Sequence, residues 1–487
     1  MSRFRTGKGS VNKTVNRAGG EAFTQSPKLE LVSLLLTSFV KDKFYESAEG
    51  QLTRLEELVK TIPDSKFVAK AAIYARKKFG MRSITHALIG ELVHSVKGQE
   101  WTKNAVAKAI HRPDDMLEIL GYYLGKYKKP IPNSLKKGLR IASVTHFDAY
   151  QLAKYKGGRS NVKLVDLCNL VHPKAPKELQ DTFKKLMKGE LKSTGTWEAK
   201  HTKAGQAVKE IKDEKVKAEK LAEMKKDNWT KLIKERKLGY FALLKNLRNI
   251  LEQAPEMVDE AAKMLVERKL IEKSLVLPFR FNTALKEIEK TAETGTRVFV
   301  QALDTAMELS LANVPKFDGK TLVVLDESGS MQGEPIEIGS IFAAVLYKTN
   351  DADLMSFSER ARYRNLNAKD SVTTIARRLQ EDFVGSGTNF HSPFTVANQK
   401  YDRMIFLSDM QGWIGYDHPG QSFEGYKMTF GANPHVYSFD LNGYGDMQFP
   451  EKQVYCIAGW SDKVFEAMKL LEQDRNALVK EIEKVEL

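Results

Sequence analysis

Apolar residues recur at helical spacing through most of the chain, from residue 27 to about residue 310. Each segment carries one apolar stripe, and Pro or Gly residues separate neighbouring segments, which predicts a series of short amphipathic helices. The predicted helices cover residues 29–41, 52–61, 66–79, 84–96, 101–110, 112–124, 134–142, 148–154 and 238–251. Short helices joined by short loops are typical of stacked helix pairs such as HEAT repeats, although no sequence period is visible.

The pattern changes after residue 320, where short apolar runs alternate with helical stretches. The predicted strands cover residues 322–325, 354–357, 404–407, 436–439 and 453–457, and the predicted helices cover 336–348, 371–381 and 461–485. Such alternation predicts a parallel, doubly wound, Rossmann-like sheet. A linker with Pro, Gly and Asp occupies residues 313–320, so we place a boundary between a helical domain, 27–315, and an α/β domain, 316–487.

Two stretches have little apolar pattern. Residues 1–26 are rich in Gly, Asn, Lys and Arg, which predicts a flexible basic arm that either orders on a partner or remains a solvated terminus. Residues 186–236 are dominated by Lys and Glu, with opposite charges four positions apart. We expect this second stretch to be a mostly solvent-facing helix, either a solvated face or a local elaboration.

Charge divides the chain at the same place as the apolar pattern. The 487 residues carry a net charge of +15. Residues 321–487 hold 16 Lys plus Arg against 24 Asp plus Glu, a balance of −8, whereas residues 1–320 hold 61 against 38, a balance of +23. The helical part is therefore the expected partner of a polyanion, and the acidic last third is expected to repel nucleic acid.

Neither membrane insertion nor secretion is predicted. No run of 18 apolar residues occurs, and the basic N-terminus lacks the apolar core of a secretory signal. The two cysteines, Cys168 and Cys456, both lie in apolar surroundings, so we expect buried thiols rather than a disulfide. A cytoplasmic protein without a membrane partner is the resulting expectation.

Oxygen-bearing side chains follow two predicted strands and occupy the glycine-rich loop between them. In chain order these residues are Asp326, Ser328, Ser330, Thr388 and Asp409. In open α/β sheets ligands bind at the carboxyl edge, and carboxylate and hydroxyl oxygens suit a hard cation such as Mg²⁺. The pattern resembles the metal-ion-dependent adhesion site (MIDAS) of von Willebrand factor A domains. The resemblance implies a divalent cation, expected to be Mg²⁺, with one position open to a partner's carboxylate; an unused relic of that fold is the alternative.

Cations and aromatic residues alternate between residues 128 and 176, a composition that suits phosphates and exposed bases but also a solvated helical face. Three sequences here, PNSLKKGL, DAYQLAKYKGGR and DLCNLVHPKAP, resemble the TROVE domain of the Ro autoantigen family of RNA-binding proteins. The sequences NRAGGEAF and YFALLKNL elsewhere fit the same family. Because a TROVE domain followed by a von Willebrand factor A domain is the Ro architecture, the chain resembles a bacterial-type Ro protein over nearly its whole length.

The resemblance implies a ring of HEAT-like helical repeats that the A domain closes. In the family, small noncoding Y RNAs bind the outer surface, and single-stranded 3′ ends of misfolded or immature RNAs enter the ring. Bacterial members work with an exoribonuclease in RNA maturation, quality control and turnover. A monomeric RNA-binding scaffold of a ribonucleoprotein is therefore the first functional expectation.

Six residues of the stretch from 128 to 176 are candidates for RNA binding. Lys154, Arg159 and His172 stand where the family places Y RNA contacts, although a doubled glycine before Arg159 adds one residue to the family spacing. His172 has an alternative role as a cap that holds a helix end. Three further cations cluster near the start of one predicted helix: Lys136, Lys137 and Arg140.

Common catalytic motifs are absent from the sequence, which has no H-E-x-x-H, C-x-x-C, P-loop or G-x-S-x-G pattern. We therefore predict that the chain is not an enzyme. The alternative to an RNA-binding scaffold is a protein-interaction adaptor that captures a partner's carboxylate through the divalent cation. A metal-dependent enzyme is the third and weakest interpretation.

Overall fold

A long series of helices comes first in the structure, and a six-stranded sheet with flanking helices follows. The computed structural model describes residues 13–15, 21–23, 26–37, 48–128, 130–157, 162–192, 194–350, 352–410, 412, 419–441, 454–458, 468–469, 472 and 477–487. This helix-dominated fold with a mixed sheet agrees with the α plus α/β class that the sequence predicts.

The helices that precede the sheet form what we call the helical part. Among the described residues they are α1 (Pro27–Thr37), α2 (Ala48–Thr61), α3 (Ser65–Lys78), α4 (Ser83–Ser95), α5 (Thr102–Lys108), α6 (Pro113–Tyr127), α7 (Asn133–Thr145), α8 (Ala149–Tyr155), α9 (Leu164–Val171), α10 (Gln180–Met187), α11 (Trp197–Ala207), α12 (Glu214–Lys234), α13 (Tyr240–Lys245), α14 (Leu247–Gln253), α15 (Val258–Leu265), α16 (Arg268–Ser274), α17 (Pro278–Glu289) and α18 (Thr296–Ser310). Side-chain caps fix several starts: Asp64 accepts from the backbone N–H of Phe67 at 3.1 Å, and Asp148 from that of Gln151 at 2.7 Å.

The predicted helix at residues 238–251 is wrong as a single element, because the chain breaks it at Asn246 into α13 and α14. The backbone of Asn246 leaves the helical region at φ −116° and ψ 13°. Its side-chain amide donates to the carbonyl oxygen of Ala242 at 2.7 Å. Asn side chains compete in this way with the backbone for the preceding turn, which ends the helix locally.

The charged stretch at residues 186–236 is also divided, into the end of α10, then α11 and α12. Gly189 follows α10 with a left-handed φ of 74°, and Asp213 caps the start of α12 by accepting from two backbone N–H groups. Most of α12 is solvent-facing as predicted, but Trp229 is fully buried. Its ring stacks on that of Trp197 in α11, with centroids 5.8 Å apart.

The N-terminal stretch predicted as an arm contains a short antiparallel pair, β1 (Lys13–Val15) and β2 (Glu21–Phe23). The sequence did not predict this pair, because strands of three residues are too short to show an alternating pattern. The other residues of the predicted arm up to residue 25 lie outside the described residues.

Helices α5 and α7 approach each other closely at Gly138. A Cβ at this position would lie 2.5 Å from the Cβ of Val106 and 2.7 Å from the carbonyl oxygen of Lys103. Both atoms belong to α5, and the carbonyl is backbone that cannot rotate away. The α5–α7 contact therefore requires a residue without a side chain.

We expect Gly138→Ala to destabilise the protein by about 1–3 kcal/mol, because the added methyl group overpacks the α5–α7 contact. Thermal melting of the variant measures this loss. Gly125→Ala in α6 is the matched control, since a Cβ there meets nothing within 4 Å, and it should melt at or slightly above the wild-type temperature. Equal melting of both variants would contradict the close approach.

The sheet contains β3 (Thr321–Asp326), β4 (Asp353–Phe357), β5 (Ala361–Tyr363), β6 (Arg403–Ser408), β7 (His435–Asp440) and β8 (Val454–Ala458). Its strand order is β5-β4-β3-β6-β7-β8, and only the edge pair β4–β5 is antiparallel. The five predicted strands are confirmed, whereas the antiparallel edge strand β5 was not predicted. Because β4 lies on one side of β3 and β6 on the other, the winding reverses between β3 and β6, as in doubly wound folds.

Helices cover both faces of this sheet, and together they form the sheet-bearing part. They are α19 (Glu334–Thr349), α20 (Val372–Glu381), α21 (Ser392–Val396), α22 (Pro419–Phe430) and, near the end of the chain, α23 (Ala477–Glu483). Val323 and Leu325 share a core with α19 and the helical part, whereas Leu322 and Val324 pack in a separate core with α21 and α22. The alternation along β3 therefore buries both faces. Most of the predicted helix at 461–485 lies outside the described residues.

The sheet-bearing part contacts the last helices of the helical part. Helices α17 and α18 pack against α19 and α20. The Phe279 ring stacks on the Phe342 ring with centroids 4.0 Å apart, and the Nζ atom of Lys348 lies 2.7 Å from Glu308. An apolar stack and a half-buried ion pair thus join the two parts here.

The sheet-bearing part also contacts the first helices. Helices α1 and α3 pack against α23, and α1 lies beside β8. The Nζ atom of Lys28 lies 2.9 Å from the carboxylate of Glu483, and the Nζ atom of Lys70 donates to the carbonyl oxygen of Glu483 at 2.5 Å. The sheet-bearing part therefore touches both ends of the series of helices.

Two further expectations can be compared with the structure. Cys168 is a buried free thiol, as predicted, and burial raises its pKa to about 12. The side chain of Cys456 lies outside the described residues. Within the described ranges, none of the helices combines the length and the apolar character that a membrane crossing requires.

Candidate nucleic-acid interface and metal centre

The carboxyl ends of β3 and β6 bring the predicted metal-site residues together. The two strands are parallel neighbours in which Leu325 pairs with Leu407, so Asp326 lies beside Ser408 and Asp409 follows. The winding of the sheet reverses between these strands, which leaves a crevice outside their carboxyl ends. Asp326 and Asp409 are both buried at this point.

Short hydrogen bonds order the loop after β3. The Oδ1 atom of Asp326 accepts from the backbone N–H of Ser328 at 2.8 Å, and its Oδ2 atom accepts from the hydroxyl of Ser408 at 2.5 Å. The hydroxyls of Ser328 and Ser330 lie 3.3 Å apart. The hydroxyls of Ser328, Ser330 and Ser408 therefore belong to one hydrogen-bonded cluster with the Asp326 carboxylate.

The glycine-rich loop that carries Thr388 lies against the loop after β3. The backbone N–H of Gly385 donates to the carbonyl oxygen of Glu327 at 2.9 Å, and that of Gly329 donates to Ser386 at 2.8 Å. Gly385 has a left-handed φ of 71°, and a Cβ on Gly329 would approach the Gly385 carbonyl oxygen at 3.2 Å. The two glycines permit this contact, and Thr388 is buried beyond it.

The electrostatics of this cluster suit a divalent cation. Burial, together with the neighbouring charge of Asp409, raises the pKa of Asp326 to about 7, although bonds from Ser408 and Ser328 oppose the shift. Two like charges in a buried crevice are the arrangement that a bound cation neutralises. The donors are two carboxylates and three hydroxyls, all hard oxygen ligands. Across the residues that the structure describes, no set of three or more His, Cys, Asp or Glu side chains is placed to hold a metal, so the hydroxyls would have to complete the coordination.

Two residues that contribute to this arrangement were not among the predicted site residues. Ser408 holds Asp326, as described above. Glu327 is buried and turned towards β5, where Arg362 and Arg364 contact its carboxylate at 2.6 and 3.1 Å. Burial raises the pKa of Glu327 although both arginines oppose this shift. The ion pairs tie the loop to the edge strand, a link that the sequence could not show because β5 itself has only three residues.

The predicted RNA-binding residues lie on α7, α8 and the end of α9, three helices that all pack against α6. Lys137, Lys154 and His172 are exposed, and Lys136 is half-buried. Tyr150 in α8 adds an aromatic side chain that is 57% exposed. We call these residues, together with Arg140, the α7–α9 surface; Arg159 lies outside the described residues.

Lys154 belongs to a small cation–aromatic group. Its Nζ atom lies 5.3 Å from the ring centroid of Tyr155, and the guanidinium of Arg112 lies 4.6 Å from the same centroid. Arg112 directly precedes α6, so this contact fixes the end of α8 on α6. Arg112 was missed by the sequence analysis because it is distant from α8 in the chain.

Arg140 and His172 meet at the end of α9. The Nε atom of Arg140 donates to the carbonyl oxygen of Val171 at 2.6 Å, which satisfies one of the free carbonyls that every helix end presents. His172 has a left-handed φ of 47°, and its backbone N–H donates to Cys168 at 2.9 Å. The His172 backbone therefore caps the helix, as in the alternative role, while its side chain remains exposed.

Comparison with known proteins decides the family. The family model of the TROVE domain matches residues 20–228 and 195–297, which is more than half of the chain. The chain belongs to the TROVE family. All described members of the α7–α9 surface fall within the matched residues.

A curated protein and a solved structure, both from Deinococcus radiodurans, are similar to this TROVE protein. A stretch of 148 residues is 28% identical to the RNA-binding protein RO60, and the chain spans about 28% of the length of that curated relative. The crystal structure of the RO (RSR) protein aligns with a TM-score of 0.64 over 94% of this chain and 99% of that chain, at 14% identity. At this identity the structural match establishes a shared fold. The resemblance to bacterial-type Ro proteins is confirmed.

Proposed function

We propose that this chain is the RNA-binding scaffold of a Ro-type ribonucleoprotein. The TROVE match over residues 20–297 carries the proposal, because it covers the part of the chain with the excess of basic residues. The name of the curated relative, RNA-binding protein RO60, supports the same class of ligand. Affinity would come from Lys and Arg side chains that neutralise phosphates and from bases that stack on exposed aromatic rings such as Tyr150.

In this proposal the helical part, residues 27–315, is a HEAT-like ring closed by a von Willebrand factor A domain, residues 316–487. The contacts of the sheet-bearing part with both ends of the series of helices support such closure. A small Y-like RNA binds the α7–α9 surface, and single-stranded 3′ ends of misfolded or immature RNAs enter the ring. The protein acts as a monomer in the cytoplasm, has no catalytic residue of its own, and presents these RNAs to an exoribonuclease.

Lys154→Glu is expected to weaken binding of structured RNA by about tenfold, because it replaces an attraction to phosphate by a repulsion. The slope of log K against log salt should become shallower by about 0.7–0.9, the value for one lost phosphate contact. Gel shifts with the RNA that copurifies from the native cells, repeated at several salt concentrations, measure both quantities.

Lys273→Glu is the control for this experiment. Lys273 is an exposed lysine in the last turn of α16, outside the α7–α9 surface, and its reversal changes the net charge by the same amount. It should bind RNA almost as wild type does. Identical affinities of Lys154→Glu and Lys273→Glu would remove Lys154 from the interface.

The oxygen cluster at the ends of β3 and β6 favours a second candidate function, a protein-interaction adaptor. Asp326, Ser328, Ser330, Thr388 and Asp409 would hold the divalent cation, and a carboxylate of a protein partner would occupy the open position. The cation supplies positive charge for that carboxylate. Loss of a protein partner in Asp326→Ala, with RNA binding retained, would show that the two functions coexist.

A further inference from the structure

A cleft of about 600 Å³ lies between the helical part and the last residues of the chain. The end of α3, the end of α5 and the residues after α7 form one side of it, and α23 with the residues that follow forms the other. Six basic side chains line the cleft: Lys77, Lys78, Lys108, His111, His146 and Lys484. The cleft is not part of the α7–α9 surface or of the oxygen cluster.

Glu481 and Glu486 contribute carboxylates to the lining of the cleft. Glu481 pairs with Lys484 at 2.5 Å, and the Nζ atom of Lys108 donates to the backbone carbonyl oxygen of Glu486 at 3.1 Å. Within the described residues, Lys77 and Lys78 have no ion-pair partner. Both are exposed. Their position in the last turn of α3 suits the helix dipole, and Lys108 of α5 and Lys484 after α23 line the same cleft.

The two histidines add hydrogen-bonding groups rather than charge. Burial lowers the pKa of His146, and burial together with the nearby charge of Arg76 lowers the pKa of His111. Each imidazole is therefore neutral near pH 7, and a neutral imidazole has one donor and one acceptor, although His111 already bonds to the backbone of Lys108. Such groups can bind the hydroxyls or ring atoms of a ligand beside the lysines.

The size and the walls of the cleft indicate the class of ligand. Ligand sites of about 300–1,000 Å³ hold small molecules, and the volume here lies within that range. Ile73, Tyr74, Ile110 and Val485 supply apolar lining beside the lysines. An apolar lining suits a base or sugar, and unpaired ammonium groups suit a phosphate.

We propose that this cleft binds a nucleotide-sized ligand through its phosphate, either a free nucleotide or the phosphorylated end of an RNA. Lys77 and Lys78 hold the phosphate, while the apolar lining and the histidines hold the nucleoside. The RNA-end form of this proposal rests on the proposed function, and the free-nucleotide form does not. Lys70 and Lys108 donate to the backbone carbonyl oxygens of Glu483 and Glu486, and these bonds hold the last helix against the helical part. A ligand in the cleft therefore contacts both the helical part and the end of the chain.

The test uses the full-length protein and three probes: AMP, hexauridylate with a 5′ phosphate, and hexauridylate with a 5′ hydroxyl. Calorimetry should show that wild type binds at least one phosphorylated probe about tenfold more tightly than the 5′-hydroxyl probe. Binding of AMP indicates a free nucleotide as the ligand, and binding of the 5′-phosphorylated oligonucleotide alone indicates an RNA end. The phosphorylated probe should also raise the melting temperature.

The double variant Lys77→Ala with Lys78→Ala should lose this preference for phosphate by about tenfold or more. Lys269→Ala with Lys273→Ala is the matched control, because both lysines are exposed on α16 and the loss of charge is equal. Both double variants should melt close to wild type, since they remove only exposed side chains. The proposal is overturned if wild type does not distinguish the probes, or if the Lys77/Lys78 variant binds as the control does.

The same experiments separate this proposal from the proposed function. Lys154→Glu should keep its affinity for the phosphorylated probe while it loses affinity for structured RNA. If wild type binds AMP but no structured RNA, the proposed function fails and the cleft remains. If structured RNA binds normally but no probe shows a phosphate preference, the cleft fails and the proposed function remains.

Discussion

Asp115→Ala is expected to lower the free energy of unfolding by about 3–5 kcal/mol, the cost of removing one partner from a buried ion pair. Asp115 is fully buried in the first turn of α6 and lies between two arginines, Arg76 of α3 and Arg82 before α4. Removing the carboxylate leaves the buried guanidinium of Arg76 without its partner. Thermal or urea unfolding measures the loss.

Every lone pair of this carboxylate has a donor. The Oδ2 atom accepts from the Nη2 atom of Arg76 at 2.8 Å and from the backbone N–H groups of His111 and Arg112 at 3.0 Å each. The Oδ1 atom accepts from the Nη2 atom of Arg82 at 3.0 Å and lies 2.9 Å from His86 Nε2. Asp115 therefore joins α3, α4 and α6 and also caps the start of α6.

The pH range of this stabilisation follows from the pKa of Asp115. Burial alone would raise that pKa, but the hydrogen bond from His86 and the charges of Arg76 and Arg82 hold it well below the usual value of 3.8. A depressed folded-state pKa stabilises the protein above the unfolded-state pKa, and the contribution is lost as the pH falls towards the folded-state pKa. The difference between wild type and Asp115→Ala should therefore be constant from neutral pH down to about pH 5.

Asp181→Ala is the control for Asp115→Ala. Asp181 is 72% exposed and pairs with Lys185 one turn along α10 at 2.6 Å. Exposed pairs of this kind contribute about 0.2–1 kcal/mol, so this variant should melt close to wild type. If Asp115→Ala costs no more than Asp181→Ala, the buried carboxylate does not hold the three helices together.

The loss should extend to RNA binding. Arg112 is bonded to Asp115 through its backbone N–H and contacts the Tyr155 ring beside Lys154. If the start of α6 loosens, Arg112 is displaced, and the end of α8 loses the contact between Arg112 and the Tyr155 ring. Asp115→Asn keeps the shape of the side chain but turns an NH2 group towards the donors that surround the carboxylate, so it should also lose stability and RNA affinity.

The sequence predicted those features that depend on local pattern. The runs before Asp326 and Asp409 are uniformly apolar because both faces of β3 and β6 are covered, and such runs are recognisable as buried parallel strands. Because Asp326 and Asp409 follow these two strands, the sequence predicted that both lie at the same edge of the sheet, as they do in the structure. The family motifs likewise located α7, α8 and α9, because each lies within one short stretch of sequence.

The sequence could not reveal contacts between distant segments. Asp115 has the ordinary sequence signature of an acidic residue in the first turn of a helix, and its partners Arg76 and Arg82 lie 39 and 33 positions earlier. Arg140 was predicted as a phosphate ligand from its charge alone. Its bond to Val171, 31 positions later, also gives it a structural role at the end of α9. Variants of Arg140 will therefore mix loss of RNA contact with loss of helix capping.

Mg²⁺ is expected to stabilise wild type against unfolding by about 2.7 kcal/mol at a hundredfold excess over its dissociation constant, and not to stabilise Asp326→Ala. The reason is the buried pair Asp326 and Asp409, whose like charges a cation between them would neutralise. Melting curves in Mg²⁺ and in a chelator measure the difference. Asp326→Asn keeps the shape of the side chain, so it shows whether the loss of the Mg²⁺ response in Asp326→Ala is only a folding defect.

Glu424→Ala provides the matched comparison, because Glu424 is an exposed carboxylate of the sheet-bearing part whose ion pair, among the described residues, is with Lys427 in its own helix. This variant should keep the full response to Mg²⁺. In chelator, Asp326→Asn should melt no lower than wild type, since it removes one of two like charges from the crevice. A wild-type protein with the same melting temperature in Mg²⁺ and in chelator would exclude the cation site, and a response that survives in Asp326→Ala would place the cation elsewhere.

The outcome for RNA separates the two candidate functions. The oxygen cluster lies in the acidic part of the chain, whereas the α7–α9 surface lies in the basic part. Asp326→Asn should therefore bind structured RNA as wild type does, with or without Mg²⁺, and Lys154→Glu should keep its Mg²⁺-dependent stabilisation. If Asp326→Asn lost RNA affinity in Mg²⁺ but not in chelator, the cation would act on RNA binding, and the adaptor and scaffold functions would be one.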